Sequence, residues 1–267
     1  MNRDRLHFSH ANGFPAGCYR KFLGCLESDF RVGAIDRIGH DPAYPVTDGW
    51  PHLVAELIDH LKSNHRQQVI GVGHSLGGYL TFMAAVQRPE LFKCIVLLDA
   101  PIIGYFKGTA LGMAKRLGLA DRVTPARATR DRRREWPSEE AMIAHFRRRG
   151  LFRDFDADCL HDYARFGTIA HGTGLRLAFD PEVEYAIYRG IPHDMEAYSK
   201  RLHVPAGYLG GRESIEAGRI GLAHTRRHFR VRCIEGGHLF PLERPEAAAT
   251  ALREMIAALL AKPGEPA

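Results

Sequence analysis

The chain has 267 residues, of which 45% are hydrophobic and 25% are charged, which is enough apolar material for one large core. This length and composition favour one domain with an insertion over two independent folds. The net charge of +6 comes largely from arginines between residues 127 and 153, where acidic residues are interspersed and no nucleic-acid motif is present. We interpret them as a solvated helix face, with attraction of an anionic substrate as the weaker alternative, and expect no nucleic-acid partner.

Strands and helices alternate along the first hundred residues. The predicted elements are strands at residues 6–9, 31–35, 68–72 and 94–98, and helices at residues 19–26, 50–63 and 76–87. The helix at 50–63 has apolar residues at helical spacing, and the strand at 94–98 is rich in Ile, Val and Leu. Such alternation is typical of a parallel sheet that is buried on both faces.

The sequence changes character after the strand at residues 94–98. From about residue 101 to residue 202 the apolar periodicity is helical, and the segment is rich in Arg, Asp and Tyr. The strand pattern then resumes at residues 204–209 and 229–234, before a final helix at about 245–260.

This order predicts an α/β fold with a mostly parallel, doubly wound sheet of about six strands. We expect residues 1–100 and 203–267 to form the core domain. Residues 101–202 are then a largely helical cap, or lid, inserted before the last strands.

Membrane and compartment signals are weak in this sequence. We expect no membrane span and no signal peptide, because no apolar stretch is long enough to cross a bilayer and none follows the charged N-terminal residues. The five cysteines have no metal-like spacing, and Cys94 and Cys233 lie in apolar strand-like runs. Reduced, buried thiols of this kind favour a cytoplasmic location.

The pentapeptide Gly73-His74-Ser75-Leu76-Gly77 lies between the strand at 68–72 and the helix that follows. A sharp strand-to-helix turn would push the Ser75 hydroxyl clear of the sheet, and glycines flank it because a Cβ would clash in so tight a bend. The new helix also directs its N-terminal N–H groups at the same place. We therefore predict that Ser75 is a nucleophile, the alternative being a plain tight turn.

A serine nucleophile needs a base, and an imidazole is suited to that role near neutral pH. Of the fifteen histidines, His238 follows the last predicted strand in a glycine-containing loop. Open α/β sheets place their sites at this end of the strands, so we predict that His238 is the base. We expect His74 to pack beside the turn and His10 to brace the first loop.

An oxyanion hole needs two backbone N–H groups, and the amide of Leu76 would supply one of them. The loop after the first strand contains Asn12-Gly13-Phe14-Pro15. With the pentapeptide around Ser75, it resembles the α/β-hydrolase fold superfamily, whose capped members carry a His-Gly-x-Pro loop here. This resemblance implies that Phe14 contributes the second amide. Asn12 stands where the family usually has a histidine.

Two carboxylates are candidates for the acid of a Ser-His-acid triad. The resemblance places the acid three residues past a glycine in the loop Gly210-Gly211-Arg212-Glu213-Ser214, but Ser214 occupies that position and Glu213 lies one residue earlier. Some serine esterases and dehalogenases of the superfamily instead carry it where Asp99 ends the strand at 94–98. We favour Asp99 over Glu213 because the end of a central strand holds a side chain more rigidly.

Together these residues predict a capped serine hydrolase that cleaves a small-molecule carboxylic ester or thioester through an acyl-enzyme. We expect it to need no metal and no organic cofactor, and the sequence leaves a homodimer open. Aromatic residues of the cap could line an acyl pocket, although core packing is the expected role of most: Tyr105, Phe106, Phe146 and Phe166.

Two other functions stay open. The first is a carbon–carbon bond hydrolase acting on a diketone, in which an arginine of the cap would face a substrate carboxylate. The second is an inactive ligand-binding member of the fold, suggested by the missing aspartate at Ser214.

Overall fold

The central sheet has six strands, all parallel, in the order β2-β1-β3-β4-β8-β9. The computed structural model describes residues 3–130 and 132–261. The strands are β1 (Arg5–Ser9), β2 (Arg31–Ala34), β3 (Val69–His74), β4 (Phe92–Leu98), β8 (Ala206–Gly211) and β9 (Arg230–Ile234). The predicted parallel sheet of about six strands is therefore confirmed.

Apolar side chains cover both faces of this sheet because neighbouring strand residues point to opposite sides. Leu6 and Phe8 pack on the face covered by α1 (Arg20–Gly24) and α13 (Pro245–Leu260). Ile95 and Leu97 pack on the other face, which is covered by α2 (Pro51–Asn64) and α3 (Leu76–Gln87). Two apolar layers on a single sheet are the doubly wound arrangement that the sequence predicts.

The segment between β4 and β8 is mostly helical, as predicted. Its helices are α4 (Tyr105–Arg116), α5 (Ala120–Val123), α6 (Ala126–Arg130), α7 (Glu139–Arg147), α8 (Ala157–Phe166), α9 (Pro181–Arg189) and α10 (Met195–Ser199). Beyond β8, two short helices precede α13: α11 (Ile215–Ile220) and α12 (Phe240–Glu243).

This inserted segment also contains a small antiparallel sheet that the sequence analysis did not predict. Its strands are β5 (Glu135–Trp136), β6 (Thr168–His171) and β7 (Gly174–Leu177), in the order β5-β7-β6. Strands of two to four residues are too short for a period of 2 to be distinguished from a helical period. Gly172, at φ 57°, makes the turn between β6 and β7.

The parallel strands bring the candidate site residues to one edge of the sheet. Ser75 follows β3, Asp99 follows β4, and His238 lies in the loop after β9. Carboxyl ends of parallel strands share an edge, so residues far apart in sequence meet there. Among the described residues, no helix combines the length and apolarity needed to cross a bilayer.

Candidate active site

The turn at Ser75 has the strained geometry that the sequence predicts. Ser75 is at φ 51° and ψ −114°, a backbone conformation that L-residues rarely adopt. A Cβ on Gly77 would lie 2.0 Å from the Ser9 carbonyl oxygen, and one on Gly73 would lie 2.1 Å from the Gly77 carbonyl oxygen. The glycines are therefore required by close backbone contacts, and the Ser75 amide fixes the turn by donating to Leu98 O at 2.9 Å.

Asp99 presents a buried carboxylate to His238. Asp99 is 1% exposed and lies at φ 46°, and its backbone N–H donates to Leu209 O at 2.7 Å. The carboxylate oxygen Oδ2 accepts from His238 Nδ1 at 2.6 Å. The structure thus brings together the residues that the sequence analysis favoured as acid and base.

Three further donors satisfy the same carboxylate. Oδ1 accepts from the Tyr208 hydroxyl at 3.0 Å and from the Gly211 amide at 3.3 Å, while Oδ2 also accepts from the Ser214 hydroxyl. Hydrogen bonds from neutral donors stabilise a charged carboxylate without adding another charge. These donors therefore satisfy the oxygens of the buried Asp99 side chain.

Ser214 and Glu213 have different surroundings. The Ser214 hydroxyl donates to Asp99 and accepts from the Ala217 amide, so it also caps helix α11. Glu213 is exposed, and none of the hydrogen bonds or ion pairs of the described residues joins its side chain to His238. The serine that stands where the family has an aspartate supports the carboxylate of Asp99.

Competing effects set the pKa of His238. Burial lowers it, but the hydrogen bond and charge of Asp99, with smaller contributions from Glu216 and Glu243, raise it above the ordinary value of 6.5. Glu216 Oε2 lies 3.8 Å from His238 Nδ1. Glu216 could not be predicted from the sequence, because only the fold of α11 turns it toward the ring.

Asp99 determines which ring nitrogen of His238 carries the proton. Because the Asp99 carboxylate accepts at Nδ1, that nitrogen carries the proton, and Nε2 of the neutral ring has the free lone pair. Among the hydrogen bonds of the described residues, none joins Ser75 Oγ to His238. Bonds of this kind are often long before a substrate is present.

His74 contributes hydrogen bonds beside the turn. The Tyr19 hydroxyl donates to His74 Nδ1 at 2.6 Å, and His74 Nε2 donates to the His238 carbonyl oxygen at 2.9 Å. Burial, followed by the charge of His238, lowers the pKa of His74 to about 3. A neutral His74 therefore holds the backbone of the His238 loop.

The loop at residues 10–15 lies against the turn, since Gly77 N donates to His10 O at 3.1 Å. His10 braces the loop through its ring, which bonds Ala11 O and the Ile38 amide. The Leu76 amide is at the first position of α3, where a helix has no internal acceptor. The Phe14 amide, in contrast, already donates to Ala11 O at 3.1 Å.

A buried ion pair of the inserted segment covers this loop. The Arg132 guanidinium faces the Glu184 carboxylate, with Nη2 3.2 Å from Oε2 and Nη1 3.4 Å from Oε1. Asn12 Nδ2 donates to Glu184 O at 3.0 Å, and Gly13 leaves room for the carboxylate, because a Cβ there would lie 2.7 Å from Oε1.

Two buried donors beside this ion pair have no acceptor. Nε of Arg132 and the Tyr163 hydroxyl have no hydrogen-bond partner among the described residues. Burial raises the pKa of Tyr163, while the charge of the neighbouring Arg132 opposes this rise. The Tyr163 ring lies 5.1 Å from the Phe14 ring, so these donors border the loop that carries the Phe14 amide.

The four aromatic residues singled out in the inserted segment have different positions. Phe146 is buried and packs on Tyr163, and Phe166 lies directly over Gly17, so both pack in the core. Tyr105 and Phe106 are 66% and 86% exposed. For these two the expectation of core or pocket packing is wrong, because they begin α4 on its solvent side.

Comparison with known proteins agrees with this architecture, which is that of an α/β-hydrolase. Residues 8–251 match the alpha/beta hydrolase family, and the chain belongs to that family.

Individual relatives are distant. The chain is 31% identical over 110 residues to type I acyl-CoA thioesterase mpaH of Penicillium roqueforti (strain FM164), a match that covers 41% of this chain and 23% of that protein. The match to each of the curated relatives spans less than a third of that relative's length.

Two solved structures share the fold along nearly the whole chain. E-2-(acetamidomethylene)succinate hydrolase superposes with a TM-score of 0.77 at 21% identity, covering 96% of this chain and 92% of that one. The thioesterase domain from the curacin biosynthetic pathway superposes with a TM-score of 0.70 at 17% identity, covering 94% and 91%. At these identities the similarity shows the fold alone.

The carboxylates around His238 make its titration predictable. We expect the ring to titrate above pH 6.5 in the unmodified protein and at a lower pH in Glu216→Gln, because the Glu216 charge favours the protonated ring. Ring-proton chemical shifts in a pH series, assigned with a His238→Gln sample, measure this. Glu213→Gln is the matched control and should leave the pKa unchanged. A wild-type pKa at or below 6.5 would contradict this prediction, because burial would then outweigh the effect of the neighbouring carboxylates on the pKa of His238.

Proposed function

We propose that the protein is a serine hydrolase that cleaves a small-molecule carboxylic ester or thioester. The observation that carries this proposal is the 2.6 Å hydrogen bond between the buried Asp99 carboxylate and His238, at the same sheet edge as the strained turn of Ser75. A serine at this turn needs a neighbouring base with a fixed tautomer, and the Asp99 pair supplies that tautomer.

In the proposed mechanism, Ser75 Oγ attacks the carbonyl carbon while His238 Nε2 accepts its proton. Asp99 stabilises the imidazolium that forms, and His238 then protonates the leaving group. His238 next activates a water that releases the acyl group from Ser75. Because the pKa of His238 is raised, kcat/KM should fall as the pH drops through a value above 6.5.

The developing oxyanion would be held by the amides of Leu76 and Phe14. The Leu76 amide is suited to this at the start of α3, where the helix dipole also favours negative charge. The Phe14 amide would have to share its proton between Ala11 O and the oxyanion, or leave the turn when substrate binds. Among the described residues, this proposed hole therefore has one preorganised donor and one that must adjust.

We assign the inserted segment the role of a lid, with residues 101–202 as the cap and residues 1–100 and 203–267 as the core domain. Its support is the contact of Glu184 with Gly13 and of Tyr163 with Phe14, which places inserted residues against the proposed oxyanion loop. A cover of this kind would exclude water and shape the acyl pocket. The thioesterase names of two similar proteins make thioesters a substrate class worth testing.

A fluorophosphonate probe tests the nucleophile directly. We expect folded protein to be labelled at one site and Ser75→Ala to lose the label, because the probe reacts with an activated serine hydroxyl. Intact-mass spectrometry measures the adduct, and the exposed Ser28→Ala variant is the control that should label normally. Absence of labelling in the wild-type protein would favour an inactive ligand-binding member of the fold.

Paired carboxamide variants test the choice of acid. Asp99→Asn should lower kcat for an aryl ester by a factor on the order of 10³–10⁴, because the amide cannot stabilise the imidazolium and can fix the wrong tautomer. Glu213→Gln should change kcat less than about twofold, because an exposed carboxylate that does not contact the His238 ring is worth little to it. The assignment would fail if Glu213→Gln caused the larger loss.

A carbon–carbon bond hydrolase acting on a diketone is the second candidate. The specific observation that favours it is the unpartnered Nε of Arg132, a residue that neighbours the unpartnered Tyr163 hydroxyl. Two buried donors without an acceptor suit a carboxylate or a carbonyl oxygen of a bound molecule. Because Glu184 already balances the charge of Arg132, a neutral carbonyl would meet less repulsion than a carboxylate.

Two substrate sets separate these candidates. If the protein is a carbon–carbon bond hydrolase, 4-nitrophenyl esters of graded chain length should all react slowly, whereas a diketo acid should be cleaved. The double variant Arg132→Met/Glu184→Gln should then lower kcat/KM for the diketo acid by about 10- to 100-fold, the effect of losing a charged hydrogen bond. Changing both residues avoids leaving Glu184 buried and unpaired.

The control is Arg134→Met/Glu182→Gln, which removes a neighbouring ion pair of exposed side chains. It should leave both activities unchanged. A strong chain-length optimum among the esters, with no cleavage of the diketo acid, would reject the second candidate.

A further inference from the structure

Three histidines meet near the amino-terminal end of the central sheet. His7 lies on β1, His60 near the end of α2, and His65 directly after that helix. One ring nitrogen of each lies within 4.8 Å of the others. His7 is paired with Gly71 of β3, and four residues of strand, about 13 Å, separate Gly71 from Ser75. The cluster is therefore separate from the candidate active site.

The surroundings of His7 leave its polar atoms unsatisfied. Its side chain is 1% exposed, and neither ring nitrogen has a hydrogen-bond partner among the described residues. Nε2 of His65 is buried and unpartnered in the same way. Buried nitrogens without partners are unfavourable and rare in native proteins, so their presence in one cluster points to a ligand that takes one lone pair from each ring.

We propose that His7, His60 and His65 bind a divalent transition-metal ion such as Zn²⁺, with a fourth position left for water. Imidazole nitrogens are preferred ligands of zinc, nickel, copper and cobalt, and no carboxylate belongs to this cluster, which disfavours calcium and magnesium. The site is independent of the proposed hydrolysis. The sequence alone did not predict this histidine site, because His7 is more than fifty positions from His60 and His65.

The geometry requires a modest adjustment. Nitrogens bound to one tetrahedral zinc at about 2.0–2.1 Å lie roughly 3.3 Å apart, which is closer than the 4.8 Å limit of this cluster. His60 and His65 are half-buried, so their rings have room to turn toward the fixed His7 ring.

Arg5 competes with a metal ion for the His65 ring, and this competition provides a further test. Its Nη1 lies 3.4 Å from His65 Nδ1, a hydrogen bond that leaves the proton of the neutral ring on Nε2, the nitrogen needed by the metal. Metal binding at Nε2 would move the proton to Nδ1 and displace the guanidinium. Arg5→Met should therefore bind metal more tightly, since it removes both the competing bond and a nearby positive charge.

The test uses the full chain after removal of metals with a chelator. Calorimetric titration with Zn²⁺ should show one site, and added Co²⁺ should give the visible absorption of a four-coordinate nitrogen-rich site. His60→Ala and His65→Ala should each weaken Zn²⁺ binding at least tenfold. His52→Ala, an exposed histidine of α2, is the matched control and should bind normally.

A second metal-capable group, formed by Asp99, Glu216 and His238, must be distinguished from this one. Glu216→Gln should leave the histidine site intact. Binding that is lost in Glu216→Gln but kept in His60→Ala would assign the metal to the candidate active site and overturn the proposal.

Thermal unfolding adds a readout that does not depend on activity. Zn²⁺ should raise the Tm of the wild-type protein, because a ligand that binds the folded state stabilises it, and should not raise that of His65→Ala. No Zn²⁺ binding below about 100 μM, or unchanged or weaker binding in Arg5→Met, would overturn the assignment of these three ligands.

Discussion

The buried carboxylate of Asp99 is the constraint on which the arrangement of the site depends. A charge taken out of water needs a full set of hydrogen-bond donors, and Tyr208, Gly211, Ser214 and His238 supply them. Two of these donors lie on β8, one begins α11 and one belongs to the loop after β9. The carboxylate therefore fixes the ends of two strands and one helix relative to β4. Removing it would leave several donors unpaired at once.

The same requirement explains why glycines follow Tyr208. A Cβ on Gly210 would lie 2.7 Å from the Tyr208 hydroxyl oxygen and 3.0 Å from Asp99 Oδ1, and one on Gly211 would lie 2.1 Å from the Gly237 carbonyl oxygen. Side chains here would block the approach of the His238 loop to Asp99. The two glycines of this loop thus leave room for the His238 loop. Ser214 stands where the family has an aspartate, and its hydroxyl instead donates to the Asp99 carboxylate at the end of the neighbouring strand.

Much of the fold could be predicted because its signals are local. The strands at β3 and β4 are continuous apolar runs, and the glycines around Ser75 mark the turn between β3 and α3. The inserted segment was predicted less well, because the strands of its small sheet are too short to show a period. Glu216, Arg132 and the His7 cluster could not be predicted, since their surroundings are created by residues distant in the sequence. The preference for Asp99 rested on the rigidity of a strand end, and that reasoning agrees with its contact with His238.

Two adjacent imidazoles show how burial and charge produce opposite results in one place. The rings of His74 and His238 are 5.2 Å apart, the first buried and the second half-buried, yet the pKa of the first falls to about 3 while that of the second rises above 6.5. The difference arises because the Asp99 carboxylate contacts His238 directly, whereas His74 meets the neutral Tyr19 hydroxyl and a carbonyl oxygen. A protonated His74 would repel the imidazolium that the proposed mechanism requires. Its neutrality therefore allows His74 to hold the His238 loop in place without opposing the charge that His238 must carry.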